Sequence, residues 1–204
     1  MVEKIFWFGH ASVRIKSEKT IYIDPWKIKG GEKADLILIT HSHYDHLSPE
    51  DVKRLQKKET VILATPDCLS QLSGDVRAVK PGDRLTVLGV DVEVVHSYNF
   101  TKAFHPKGNN WVGYVVVVEG NRVYYTGDTD FIPEMKNIRA DIVILPVGGT
   151  YTMDAREAAK AVNTMKPKVA VPIHYGDIVG SLKDAEKFKE LAEIPVEIIS
   201  VVPS

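Results

Sequence analysis

The stretch His41-Ser42-His43-Tyr44-Asp45-His46 gathers three of the chain's seven histidines and an aspartate, directly after Asp35-Leu36-Ile37-Leu38-Ile39-Thr40. The unbroken apolar run before it reads as a buried strand. Imidazole nitrogens and carboxylate oxygens are the donors that a borderline cation such as zinc prefers. In shuffled chains of this composition H-x-H-x-D-H should arise about once in two thousand. The stretch therefore reads as metal chemistry rather than as a polar loop that happens to hold histidines.

Its spacing divides the donors. His41 and His43 are two apart, so in an extended segment leaving a strand both point the same way and can hold one ion. Asp45 and His46 lie beyond the bend and can hold another. Just after them Ser48 can cap a helix, Pro49 suits its first position, and Glu50 and Asp51 favour its positive end. That end of a helix favours anions.

Upstream, Lys4 to Phe8, Ser12 to Lys16 and Thr20 to Asp24 read as a meander of short strands. Downstream, Val61 to Ala64 is an apolar strand and Thr65-Pro66-Asp67 opens a short helix through Leu72. Strand and helix alternation of this kind implies a partly parallel sheet covered by helices. From Val76 the pattern turns to hairpins, with Pro81-Gly82-Asp83 and Leu88-Gly89 as turns. Ser97 to Asn110 is a long polar and aromatic loop, a length that in a compact domain is usually functional. A hairpin through Trp111 to Val118 and Arg122 to Thr126 ends in Gly127-Asp128-Thr129, whose small neighbours make Asp128 the best distant carboxylate. Asp141 to Pro146 is again a strand. Asp154 and Glu157 have capping-box spacing before a helix that runs to Pro167. Val169 to Ile173 ends at His174, the best distant histidine because it terminates a strand. A helix near Leu182 to Leu191 and a last strand near Val196 to Val201 finish the chain.

The 204 residues suit one domain, here taken as 1–204. Within it two halves, about 1–100 and 105–204, echo one another. Trp7-Phe8-Gly9 leads to Asp24 as Trp111-Val112-Gly113 leads to Asp128, and Ala34-Asp35 opens an apolar strand as Ala140-Asp141 does. The echo implies two similar sheets face to face, with Asp24, His41, Asp128 and His174 along one edge.

Lys plus Arg is 26 against 27 for Asp plus Glu. A net charge near zero offers no global field for nucleic acid or an acidic membrane. The single Cys68 excludes an internal disulfide and a multi-cysteine zinc site, and fits a reducing compartment. With no long apolar segment, the expected location is cytoplasmic.

These motifs resemble the metallo-β-lactamase superfamily, and within it the small metal-dependent hydrolases that include the ascorbate-6-phosphate lactonase-like proteins. Gly9-His10-Ala11-Ser12, Ile23-Asp24-Pro25, the histidine stretch, His105-Pro106-Lys107-Gly108, Gly127-Asp128-Thr129, Tyr151-Thr152-Met153-Asp154 and Pro172-Ile173-His174-Tyr175 carry the resemblance. It implies an α/β fold, a four-layer αββα sandwich of two similar mixed-sheet halves. It also implies that His41, His43 and a third histidine hold one ion, that Asp45, His46 and His174 hold a second, and that Asp128 bridges both. His96 and His105 are both eligible as the third histidine. His105 is preferred because it lies in the loop while His96 still belongs to a strand. His10 and Asp24 are expected beside the site, Asp24 orienting a ligand histidine.

Two divalent ions, zinc in preference to manganese, would leave a hydroxide bridging them as nucleophile, with Asp45 and Asp128 as the catalytic carboxylates. Superfamily di-iron redox proteins generally carry Glu at the second histidine, so His43 points to hydrolysis. The resemblance suggests a small ester, lactone or phosphorylated metabolite as substrate. The alternatives are a phosphodiesterase or nuclease of the same superfamily, or a non-catalytic metal-binding module. Asn99, Lys107, Tyr151 and Tyr175 are the candidate substrate contacts, the lysine suiting an anionic group.

Overall fold

The computed structural model describes residues 1–203. Two six-stranded sheets carry the fold. The first holds β1 (Ile5–Trp7), β2 (Val13–Lys16), β3 (Thr20–Ile23), β4 (Leu36–Ile39), β5 (Val61–Ala64) and β6 (Asp75–Ala78) in sequence order. The second holds β7 (Arg84–Val87), β8 (Val90–His96), β9 (Val112–Val118), β10 (Asn121–Tyr125), β11 (Ile142–Pro146) and β12 (Val169–Ile173), also in sequence order. In each sheet antiparallel hairpins give way to parallel neighbours, at β3 with β4 and at β10 with β11.

The period of two along β4 shows why its residues must be apolar on both faces. Leu36 and Leu38 join the large core shared by both sheets, whereas Ile37 and Ile39 pack with Val52 and Leu55 of α1 (Pro49–Leu55). On the outer side of the second sheet lie α2 (Ala155–Met165) against β11 and α3 (Leu182–Leu191) against β12. The result is the expected αββα sandwich. Two buried tyrosines tie its sheets together: Tyr114 donates to the Ile39 carbonyl at 2.7 Å, and Tyr125 to that of Ala11 at 2.8 Å.

Helix starts follow the sequence signals. Ser48 Oγ accepts from Asp51 N, and Asp154 from Glu157 N at 2.8 Å. Glu157 does not complete a capping box; its carboxylate accepts instead from Phe131 N, 2.9 Å away, tying α2 to the segment after Asp128. Two expectations need correction. Val196 to Val201 forms no strand, only isolated bridges of Val196 with Ala170 and of Val201 with Trp7, because single pairings at two separate sheet edges do not make a ladder. The register of the echo also differs. Asp35 and Asp141 are equivalent, their carboxylates accepting from Thr20 N and Arg122 N at 2.8 Å. Yet Asp24 N and Thr126 N make the matching bonds to Leu38 and Ile144, so Thr126, not Asp128, occupies the place of Asp24. Trp7 lies in β1, whereas Trp111 leads into β9, the counterpart of β2.

No helix among the described residues is long and apolar enough to cross a membrane.

Candidate metal centre

Parallel strands leave their C-terminal ends on the same side, and the loops that follow them build the centre. His41 follows β4, Asp24 follows β3, His174 follows β12, and Asp128 lies just beyond β10. At this end the sheets are bonded to one another through the backbone: Val112 N donates to the Thr40 carbonyl at 3.2 Å, and His174 N to that of His10 at 2.8 Å. His174 has a φ of 59°, a left-handed turn that breaks the strand direction at the candidate donor itself.

Three donor groups result. His41, His43 and His105 form one, His10, Asp45, His46 and His174 a second, and His41, His46 and Asp128 a third, with the donor atoms of each within 4.8 Å of one another. Asp128 stands at the junction. Its Oδ2 lies 3.2 Å from His46 Nε2, 3.3 Å from His105 Nε2 and 3.1 Å from His174 Nε2. All three of these nitrogens are buried and none has a hydrogen-bond partner of acceptable geometry. One carboxylate oxygen cannot satisfy three imidazoles at once, and orphaned buried nitrogens are costly. Convergent lone pairs around a carboxylate are the arrangement a cation site requires, so the residues fit a metal.

Supporting contacts fix the rings. His46 Nδ1 lies 2.7 Å from Asp24 Oδ2, and Asp24 also accepts from Thr40 N at 2.8 Å, Thr40 Oγ1 at 2.6 Å and the Tyr125 hydroxyl at 3.2 Å. His41 Nδ1 lies 2.9 Å from Thr40 Oγ1. On the other half, Asn99 Oδ1 accepts from His105 N at 2.9 Å and faces His105 Nδ1 at 3.1 Å. Such contacts set the tautomer and aim of a ligand ring. His10 Nε2 lies 2.9 Å from Asp45 Oδ2.

The electrostatics follow from burial. Desolvation, aided by the neighbouring His46, holds His41 well below the ordinary imidazole value and keeps it neutral, the form that binds metals. Burial would lower His46 too, but the Asp128 and Asp24 carboxylates outweigh it and hold it well above that value. Asp45 is raised by burial, then drawn down to about 2 by His10 and His46. Burial would raise Asp128 as well, but His174 and His46 hold it well below the ordinary carboxylate value, so Asp45 and Asp128 place negative charge in the middle of the cluster.

Above the donors opens a cleft of about 230 Å³. His43, Asp45, His105, Asp128 and His174 form its floor, and Tyr44, Phe104, Tyr151 and Ile178 its rim.

Residues 4–174 match the family model described as beta-lactamase superfamily domain. The chain belongs to that superfamily. It is 34% identical to a UPF0173 metal-dependent hydrolase of Thermoplasma acidophilum, over 93% of this chain and 90% of the relative. It is 33% identical to one of Thermococcus kodakarensis, over 98% and 96%. Among solved structures, a candidate metal-dependent hydrolase from Parabacteroides distasonis is 36% identical, with a TM-score of 0.85 over 95% of this chain and 91% of that one. Relatives of this likeness place the chain in the UPF0173 family within the superfamily.

Against this family background the sequence expectations divide. The residues taken as ligands, His41, His43, Asp45, His46, His105, Asp128 and His174, are brought together. His96 is not among them; it ends β8 and packs edge-on against Tyr98. Asp24 sits behind His46, and His10 reaches Asp45 rather than only shaping its turn. Of the expected substrate contacts, Tyr151 lines the cleft but three others do not. Lys107 pairs with Glu134 at 2.8 Å, Tyr175 is buried against Trp7 at 4.7 Å between ring centroids, and Asn99 is turned to His105. Sequence reading missed Tyr44, Phe104 and Ile178 as rim residues. An aromatic residue beside a candidate donor, Tyr44 between His43 and Asp45 and Phe104 before His105, was the available signal.

Proposed function

We propose that this protein hydrolyses a small ester, lactone or phosphorylated metabolite at a centre of two divalent ions, zinc in preference to manganese. The observation that carries the reading is the convergence of three orphaned histidine nitrogens on one oxygen of Asp128. His41, His43 and His105 would hold one ion, Asp45, His46 and His174 the other, with Asp128 between them. When bound, such ions supply charge that lets a water ionise near neutral pH and Lewis acidity toward a carbonyl or phosphoryl oxygen. No serine or cysteine nucleophile is then required.

The chain's own groups do the rest. Asp45 lines the cleft and, ionised near neutral pH, can accept a hydrogen bond from the attacking water and orient it, while His10 Nε2 steadies its Oδ2. Asp24 and Asn99 keep His46 and His105 aimed at the centre. The walls of the cleft orient the substrate and limit water. A lactonase-like activity agrees with the motifs and with the relatives described as metal-dependent hydrolases, but the fold alone does not select it.

The test is metal analysis of purified protein and of His43→Ala, alongside hydrolysis of a lactone, a carboxylic ester and a bis-aryl phosphodiester. The reading expects turnover of the lactone or the carboxylic ester by the zinc-loaded protein, with a loss of about 100-fold or more in the variant. Bound metal without turnover of any of the three would leave a metal-binding module, and turnover of the phosphodiester alone would leave the phosphodiesterase alternative.

A further inference from the structure

We infer that the part of the substrate remote from the scissile bond is uncharged and apolar, an aryl or alkyl group on an ester or lactone rather than a phosphorylated sugar. The inference rests on the proposed hydrolase reading and narrows it.

The rim carries it. Tyr44 is 68% exposed, Phe104 48% and Ile178 46%, and all three line the cleft above the donor cluster. Scattered exposed apolar residues are unremarkable, but several converging on one polar floor mark a binding surface. The rings are also arranged as walls. Phe104 meets Tyr151 edge-on at 4.7 Å, joining the long loop to the segment after β11, and Tyr44 meets Trp26 at 6.0 Å in the same manner. Edge-on contacts of this kind hold ring positions while leaving faces free for an apolar group.

Charge argues in the same direction. Among the described residues, none that lines the cleft is a lysine or arginine. The lysines that flank Phe104 and His105 in sequence are engaged elsewhere: Lys102 pairs with Asp130 at 2.5 Å and lies 3.6 Å from Glu157, and Lys107 pairs with Glu134; Lys27 pairs with Asp177, the neighbour of Ile178, at 2.6 Å. A phosphate remote from the reaction centre would enter such a cleft without a cation to meet it, and desolvating an unpaired anion is expensive. Ions held at the floor would be engaged by the reacting oxygen, so a remote phosphate would depend on the rim, which offers no cation. The volume sets a further limit. At about 230 Å³ the cleft is smaller than the usual ligand pocket and suits one ring or a short chain.

The experiment compares two non-hydrolysable amide probes on one scaffold, N-phenylacetamide and its para-phosphorylated counterpart, by calorimetric titration of the zinc-loaded protein. Phe104→Ala and Ile178→Ala accompany the unaltered chain. Hydrolysis of phenyl acetate and of 4-phosphophenyl acetate is followed in parallel. The inference expects the neutral probe to bind at least tenfold more tightly than the phosphorylated one, and Phe104→Ala to weaken it by about tenfold. It also expects a rise in KM for phenyl acetate with kcat little changed in both variants. Equal or tighter binding of the phosphorylated probe, or neutral binding indifferent to both substitutions, would overturn it. Because binding is read separately, selective capture of the neutral probe without hydrolysis would support this inference while contradicting the hydrolase reading.

Discussion

His46 Nδ1 stands 2.7 Å from Asp24 Oδ2, and both groups are fully buried. The same Asp24 oxygen accepts from the Thr40 and Tyr125 hydroxyls, so it cannot turn away without breaking a network that spans the two sheets. This fixes the opposite nitrogen of His46 on Asp128. Asp24→Asn, which replaces an acceptor in that network by an amide, should weaken zinc at the position proposed for His46 by about 10- to 100-fold. Competition with a chromophoric chelator measures it, and an affinity equal to that of the unaltered chain would remove Asp24 from the role.

Gly148 controls His174 through shape alone. A Cβ at residue 148 would overlap the His174 carbonyl oxygen, which is backbone and cannot rotate aside. Gly148→Ala should therefore cost about 1–3 kcal/mol in urea unfolding. It should also loosen one metal ion, because His174 must shift with its carbonyl. Loss of stability with both ions held as tightly as before would show that the ring position is independent of this contact.

The clustering of His41, His43, Asp45 and His46 was legible because these donors are nearly contiguous and one strand delivers them. The strand openings at Asp35 and Asp141 were legible for a similar local reason: a carboxylate before an apolar run can close onto the neighbouring strand. What failed depended on partners distant in sequence. Nothing near Lys107 announces Glu134 as its partner, and nothing near Tyr175 announces Trp7. Asn99 looked like a substrate contact because it lies in a long polar loop, but its amide also reaches Asp130 and the Tyr151 carbonyl, which commits it inward. The apparent Trp-x-Gly echo misled for another reason. Apolar strands resemble one another, and only the hydrogen-bond register shows that Thr126 takes the place of Asp24.

Asp35 and Asp141 should give the fold a shared acid limit. Burial raises Asp35, but Lys57 and the Thr20 amide outweigh it; the Arg122 amide, then Lys168, lower Asp141. Both folded values lie below the ordinary one. Their contribution is therefore complete above the unfolded value of about 3.9 and is lost as pH falls through the lower folded value. Lys168 is largely exposed, so at Asp141 most of the effect belongs to the Arg122 amide, whereas at Asp35 the half-exposed Lys57 and the Thr20 amide share it. Asp35→Asn and Asp141→Asn should each cost about 1 kcal/mol at pH 7. The difference from the unaltered chain should shrink in acid. Urea midpoints across pH check this, and a difference constant with pH would show that the carboxylate charge is not its source.

Cys68 is fully buried and desolvation pushes its thiol up to about 12. The thiolate is the reactive form, so the native protein should resist an aromatic disulfide reagent at pH 8 and react stoichiometrically once unfolded in guanidinium. Rapid labelling of the native state would contradict this burial.

The central claim is that the clustered histidines and aspartates form two metal positions joined at Asp128, and metal stoichiometry tests it most directly. Protein reconstituted with excess zinc and then freed of loosely held metal should retain about two zinc ions per chain by mass spectrometric elemental analysis. One ion or fewer per chain would contradict a dinuclear centre.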